Sequence, residues 1–170
     1  MKKRWMVLIA LIFVLAACGK EVEETISEEA DETSTVFESE EPLTHNMEGV
    51  ALKLDYKIQK VSAEPGELIL EINGTLENEF SQVVYYTPDF TVQTPEQEEI
   101  EQLTSSVENE QIMVNPQMET TFNVTYLIPQ HIYDENTSLN IRVPAAFKEP
   151  ESESSGDALG DFANWEIPIK

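Results

Sequence analysis

Val50-Ala51-Leu52-Lys53-Leu54-Asp55-Tyr56-Lys57-Ile58 is the stretch that decides the fold. Apolar residues occupy every second position, and mostly charged residues stand between them. A period of two residues is typical of a β-strand with one face buried and the other in water, because successive side chains point to opposite faces. The stretch therefore predicts a long, half-buried strand.

The same pattern continues through the rest of the chain. Further alternating or strand-forming runs are residues 68–73, 83–86, 90–92, 112–114, 122–128, 139–143 and 165–169. Turn-forming pairs such as Pro65-Gly66 and Asn115-Pro116 separate them. About eight strands at spacings near a dozen residues, with no convincing long helix, predict an all-β fold. We expect one antiparallel β-sandwich domain over residues 46–170.

Three segments of this domain are more specific. They are residues 68–78 (LILEINGTLEN), residues 89–93 (DFTVQ), and residues 115–129, where a proline turn, a strand and a second proline follow one another. Together they resemble the immunoglobulin-like domain of small bacterial lipoproteins of unknown function. The resemblance covers about residues 50–147 and implies an immunoglobulin-like sandwich of about seven to eight strands. It departs from the family at residues 96–99 and at the Pro116 turn, where the usual glycines are missing.

The N-terminal residues have the organisation of a secretion signal. Met1-Lys2-Lys3-Arg4 is a short cationic segment, and the 13 uncharged residues from Trp5 to Ala17 follow it. A membrane-spanning helix needs about 20 residues, so this run is too short to span and is typical of a signal peptide. The run ends in Leu15-Ala16-Ala17-Cys18, which contains the only cysteine of the chain.

That ending resembles the lipobox of bacterial lipoproteins. The resemblance implies that residues 1–17 are removed and that diacylglycerol is attached to the thiol of Cys18. Two acyl chains give lasting anchorage, since a single chain binds a membrane only marginally. We expect the protein on the outer face of the plasma membrane of a single-membrane (Gram-positive) bacterium. Because Gly19 and not aspartate follows Cys18, the outer membrane of a two-membrane bacterium is the alternative.

Residues 18–45 are predicted to be a disordered acidic tether. Ten of residues 19–45 are acidic, one is lysine, and few are apolar. Such a segment lacks the apolar surface for a packed core, and its like charges repel. A flexible chain of this length has an end-to-end distance of roughly 30 Å, which lifts the domain clear of the lipid head groups.

The charge of the chain bounds its partners. The chain has 33 acidic and 10 basic residues, and loss of Lys2, Lys3 and Arg4 with the signal leaves 7 basic residues and a net charge of −26. Such a surface excludes nucleic acid, whose binding requires clustered Lys and Arg, and it repels anionic lipid. It attracts cations or a basic protein partner.

No residue pattern points to catalysis or to a cofactor. The only histidines, His45 and His131, lie in no recognisable motif, and we expect both to be solvated. One cysteine and two histidines outside any motif form no recognisable set of zinc ligands. Residues 96–101 and 134–136 offer oxygen ligands for calcium but lack a calcium-loop signature. The sequence therefore predicts no metal, no cofactor and no enzyme.

Four aromatic residues are the candidates for a binding patch: Tyr85, Tyr86, Phe90 and Trp165. Core packing is the alternative for them, because sandwich interiors need large side chains. We expect a lipid-anchored binding or interaction module at the cell envelope, with an envelope protein or a basic protein as partner. The alternative hypothesis is an envelope stress or assembly factor that supports another membrane protein.

Overall fold

The computed structural model describes residues 33–61, 66–107, 111–150 and 158–170. These residues form thirteen strands and one short helix, α1, which spans Gln130–Glu135. The strands are β1 (Thr33–Glu38), β2 (Leu43–Asn46), β3 (Val50–Val61), β4 (Glu67–Asn78), β5 (Val84–Tyr86), β6 (Thr91–Gln93), β7 (Glu101–Ser105), β8 (Ile112–Val114), β9 (Met118–Pro129), β10 (Ser138–Val143), β11 (Ala146–Phe147), β12 (Ala158–Leu159) and β13 (Ala163–Pro168). Within the described ranges, no helix has the length and hydrophobicity needed to cross a bilayer.

The strands form three antiparallel sheets. The six-stranded sheet has the order β1-β3-β4-β9-β7, and β2 pairs with β3 along the same edge as β1. The three-stranded sheet has the order β13-β10-β6, and the four-stranded sheet has the order β12-β11-β5-β8. The prediction of an all-β, antiparallel fold is confirmed.

The long strands of the six-stranded sheet carry the alternation that the sequence shows. Every second residue of β3 from Val50 to Ile58 is buried, and Tyr56, the least buried of them, is only 4% exposed. The inward residues of β9 are buried in the same way. They belong to one hydrophobic cluster with apolar residues of the smaller sheets, such as Val84, Val92 and Leu139. Burial of this shared cluster is the main stabilising contribution to the fold.

Gly74 of β4 leaves room for the aromatic ring of Phe122. Gly74 pairs with Phe122 of β9, whose ring occupies the space where a Cβ atom on Gly74 would stand. From there the ring contacts Tyr86 at 5.8 Å and Phe90 at 5.9 Å between ring centroids. A glycine in a strand interior marks such a close approach. It lets one aromatic side chain of the six-stranded sheet reach two rings beyond that sheet.

The predicted boundary of the folded domain at residue 46 is wrong. Strands β1 and β2 precede it, and both pair with β3. The ring of Phe37 stacks on Tyr56 at 5.8 Å between centroids, and Leu43 packs against the core. The described structure therefore begins at residue 33, and residues 33–45 are not a disordered tether. The rest of the predicted tether, residues 18–32, lies outside the described residues.

Charge repulsion fails to keep this segment unfolded because strand pairing uses backbone groups. The acidic side chains Glu38, Glu40 and Glu41 stay exposed to solvent while the backbone of β1 binds β3. A bulge in β1 between Thr35 and Phe37 adjusts the register. Few apolar residues are enough for an edge strand, since only one of its faces meets the core.

Other short elements also lie outside the strands that the alternation predicts. Strands β7, β11 and β12 and helix α1 have two to six residues each, too few for a period to be recognised. Within the acidic stretch of residues 96–101, Ile100 is buried and Glu101 begins β7. The predicted count of seven to eight strands is too low because these short strands, and β1 and β2, are not among the predicted strands.

Candidate functional site

An open cleft of about 500 Å³ lies where the two smaller sheets meet. The chain crosses from the four-stranded to the three-stranded sheet between β5 and β6, and returns between β10 and β11. Pro88 stands in the first crossing and Pro144 in the second. Proline has no backbone N–H and cannot donate to a strand ladder. Each proline therefore limits strand pairing within its crossing, and residues of both crossings, such as Asp89 and Pro144, line the cleft.

Side chains from both sheets line this cleft. They are Thr87, Asp89, Thr91, Arg142, Pro144, Ala145, Phe147 and Phe162. Arg142 points outward from β10, because its neighbours Ile141 and Val143 are buried. Its guanidinium carbon lies 4.8 Å from the centroid of the Phe162 ring. Phe162 is 50% exposed, so the ring and the guanidinium are both accessible from solvent.

Arg142 makes no ion pair with a carboxylate of the described residues, although the chain has 33 acidic residues. A guanidinium that stacks on a ring keeps N–H groups along its edge for a second partner. Those groups match the geometry of a carboxylate or a phosphate, which they bind through two parallel hydrogen bonds. The Arg142 end of the cleft is therefore suited to an anionic group beside an apolar wall.

A second cleft, also of about 500 Å³, adjoins the first, and Asp89 lines both. Its other carboxylates are Glu99 and Glu101. Tyr126 also lines it and donates a 2.7 Å hydrogen bond to the carbonyl oxygen of Phe90. Burial raises the pKa of the Tyr126 hydroxyl, and the charge of Asp89 raises it further, so the hydroxyl remains a donor. The second cleft is acidic, in contrast to the Arg142 end of the first.

The four aromatic residues proposed from the sequence do not form one exposed patch. Tyr86 is fully buried and Phe90 is 3% exposed, so core packing is the correct alternative for these two. Tyr85 is half-buried on the four-stranded sheet, and Trp165 is half-buried on β13 in the three-stranded sheet.

None of the residues named as lining the first cleft was among the sequence-based candidates, and three of them, Arg142, Phe147 and Phe162, matter most for its chemistry. In the sequence, Arg142 looks like any other outward-facing residue of a strand. Only the fold places it beside Phe162. Phe147 follows a proline in a segment too short to show a period. Phe162 lies between Asp161 and Ala163, just before the last strand, and no local pattern distinguishes it from its neighbours.

The two histidines lie in different environments. His45 is half-buried on β2, with its Nε2 atom 2.9 Å from the carbonyl oxygen of Asp161 and its ring edge-on to Trp165 at 6.2 Å. The prediction of a solvated His45 in a tether is wrong, because β2 carries this residue against the segment before β13. His131 is exposed on α1, as expected.

Cys18, the predicted lipid-attachment residue, lies outside the described residues, as does the predicted signal peptide. The described ranges contain no group of three or more His, Cys, Asp or Glu side chains placed to hold one metal ion. Those ranges include residues 96–101 and 134–136, the two stretches that offer oxygen ligands for calcium.

Comparisons with known proteins show the fold alone. No protein-family model and no curated protein sequence matches the chain. The fold is similar to the crystal structure of a functionally unknown protein from Listeria monocytogenes EGD-e, with a TM-score of 0.60 and 14% identity over 83% of this chain and 89% of that one. A protein from Archaeoglobus fulgidus aligns with 14% identity over 75% of this chain and 98% of that one. Its TM-score of 0.34 is too low to indicate a common fold.

Proposed function

We propose that the protein is a lipid-anchored binding module on the outer face of a bacterial cell membrane, and that it is not an enzyme. The support for the anchor is the N-terminal pattern of a cationic segment, 13 uncharged residues and Leu15-Ala16-Ala17-Cys18. Diacylglycerol on Cys18 holds the chain in the membrane. The acidic residues that follow are repelled by anionic lipid and separate the domain from the bilayer.

We further propose that the three sheets form an immunoglobulin-like β-sandwich, with the six-stranded sheet opposite the two smaller ones. Side chains of the six-stranded sheet that bond the other two sheets support this arrangement. The Tyr56 hydroxyl donates to the carbonyl oxygen of Pro168 on β13 at 3.1 Å. The buried Asn78 amide donates to the carbonyl oxygen of Val114 on β8 at 2.9 Å.

In this proposal the cleft is directed away from the membrane. The described chain enters at Thr33, which pairs with Val61 at one end of β3. Helix α1 lies at that same end, because the N–H of Gln130 donates to the carbonyl oxygen of Gly66 at 2.8 Å. Strand β10 follows α1 and runs toward the opposite end, and Arg142 lies near its far terminus.

The observation that carries the binding proposal is the guanidinium of Arg142, without an ion pair among the described residues and stacked on an exposed ring in an open cleft. A ligand that combines an apolar group with a single carboxylate fits this end of the cleft best. The carboxylate binds Arg142, and the apolar group packs on Phe162 and Phe147. Asp89 and the negative charge of the whole domain disfavour a ligand with several negative charges. The partner is therefore an envelope protein that presents one such group, as a C-terminal aromatic residue does.

The test is a titration with N-acetylphenylalanine, followed by amide chemical shifts of the protein. We expect shifts at Arg142 and Phe162, and much weaker binding of N-acetylphenylalaninamide, which has no carboxylate. Arg142→Gln should abolish binding. Lys148→Gln is the matched control, because Lys148 also lies over an aromatic ring, Phe80, but outside the cleft.

Equal binding of the amide would contradict the proposal, since it would show that the carboxylate is not recognised. The proposal would also be contradicted if Arg142→Gln bound N-acetylphenylalanine as well as the parent chain does, or if Lys148→Gln lost as much affinity as Arg142→Gln.

A further inference from the structure

A row of uncharged side chains crosses the outer face of the four-stranded sheet. Met113 of β8 pairs with Tyr85 of β5, Tyr85 pairs with Phe147 of β11, and Phe147 pairs with Ala158 of β12. Directly paired residues of antiparallel strands point to the same face of the sheet. Their neighbours Val84, Tyr86, Val114 and Ala146 are buried, so the row faces outward. We refer to Met113, Tyr85, Phe147 and Ala158 as the neutral row.

The neutral row is large and accessible at its β8 end. Met113 is 58% exposed, and Tyr85 and Phe147 are half-buried. Val83 and Thr87, the next outward positions along β5, are uncharged as well. Methionine and aromatic residues without charges are typical of the core of a protein interface.

The outer face of the six-stranded sheet has the opposite character. Lys53 and Lys57 of β3 pair there with Glu77 and Glu71 of β4, at 3.9 and 3.0 Å. A basic partner is attracted to carboxylates that have no cation beside them, because opposite charges steer association. The neutral row offers such a partner no carboxylate.

A partner that is itself strongly acidic binds most favourably to a surface that has no carboxylates. Two copies of a chain with 33 acidic and 10 basic residues repel each other. They approach at the lowest electrostatic cost through a surface that carries no charge. A twofold axis also makes the same face available on both copies, which gives a self-complementary contact.

We propose that the neutral row is a self-association surface, on which a second copy of this chain packs face to face about a twofold axis. Met113 and Tyr85 of each copy form the centre of the contact. Phe147 lies where the contact borders the Arg142 cleft. The proposal does not depend on the function of that cleft, and Met113 does not line it.

The test is the oligomeric state of residues 18–170 with Cys18→Ser, which contain every described strand and exclude a disulfide between copies. Sedimentation should show a reversible dimer whose dissociation constant falls as sodium chloride is raised from about 50 mM to about 0.5 M, because salt screens repulsion between like charges. The affinity for a basic partner would instead fall as the sodium chloride concentration rises, because salt screens attraction between opposite charges.

Both Met113→Glu and Met113→Lys should weaken the dimer by about tenfold or more, because each copy brings the new charge to the same contact. Met118→Glu is the matched control. Met118 is 57% exposed and only five residues away, but it belongs to the six-stranded sheet. This variant should dimerise like the parent chain.

A monomer at every protein and salt concentration would overturn the proposal. A dimer that survives both Met113 substitutions, or that Met118→Glu disrupts equally, would place the contact elsewhere and would also overturn it. Binding of N-acetylphenylalanine is measured separately, so either result can fail without the other.

Discussion

At the residue scale, two buried tyrosines differ in whether the hydroxyl has a partner. Tyr126 donates to the carbonyl oxygen of Phe90 at 2.7 Å. The hydroxyl of Tyr86 is buried without a hydrogen-bond partner among the described residues. Burial, and to a smaller degree the neighbouring Tyr126, raise the pKa of Tyr86 well above the usual tyrosine value, so the hydroxyl is protonated and its donor is unused.

The two Tyr→Phe substitutions should therefore have opposite effects on the free energy of unfolding. Tyr126→Phe leaves the Phe90 carbonyl without its donor and should destabilise by about 1–2 kcal/mol. Tyr86→Phe removes a buried polar group that has no partner and should stabilise by about 1 kcal/mol. Urea unfolding of both variants measures this. A loss of stability in Tyr86→Phe as large as in Tyr126→Phe would show that the Tyr86 hydroxyl is satisfied after all.

At the element scale, strands β1 and β2 decide where the domain begins. They complete the edge of β3, and the backbone N–H of Tyr56 donates to the Ser39 hydroxyl between them at 3.1 Å. We expect the fragment 46–170 to be several kcal/mol less stable than the fragment 33–170, because it exposes this edge and the apolar contacts of Phe37 and Leu43. Thermal unfolding of the two fragments compares them directly. Equal melting temperatures would restore the boundary at residue 46.

The outer face of the six-stranded sheet contains a polar ladder centred on Glu71. Lys57 Nζ lies 3.0 Å from its carboxylate, and the Asn73 and Asn123 amides donate to it at 3.0 and 3.2 Å. Burial raises the pKa of Glu71, but these hydrogen bonds and the charge of Lys57 outweigh burial and hold the pKa below its usual value. The stabilisation is therefore complete above the usual glutamate pKa and is lost as the pH falls through the lowered one.

Glu71→Gln should remove this pH dependence. At pH 7 we expect the variant to be roughly 1 kcal/mol less stable than the wild type, and the difference to shrink as the pH falls below about 4. Glu77→Gln is the control, because its ion pair with Lys53 is longer, at 3.9 Å, and its side chain is more exposed. Chemical unfolding across the acidic range measures both. A Glu71→Gln effect that is the same at every pH would refute the role of the charge.

At the scale of the whole molecule, the strands were predictable and the cleft was not. A period of two residues identifies β3, β4 and β9, because each has one face on the core over many residues. The same criterion missed β1, where backbone pairing and a single aromatic contact replace a long apolar face. The cleft exists only after the topology brings Arg142 and Phe162 together, and no local pattern encodes a contact between residues 20 positions apart.

The central claim, a domain tethered to the membrane through Cys18, is tested most directly by the intact mass of the protein extracted from membranes of a Gram-positive host. We expect a chain that begins at Cys18 and carries the added mass of diacylglycerol. Cys18→Ser should remove that mass and leave either released protein or an uncleaved precursor. A membrane-bound chain that keeps residues 1–17 and carries no lipid, or a Cys18→Ser variant that is processed and retained like the wild type, would contradict the account.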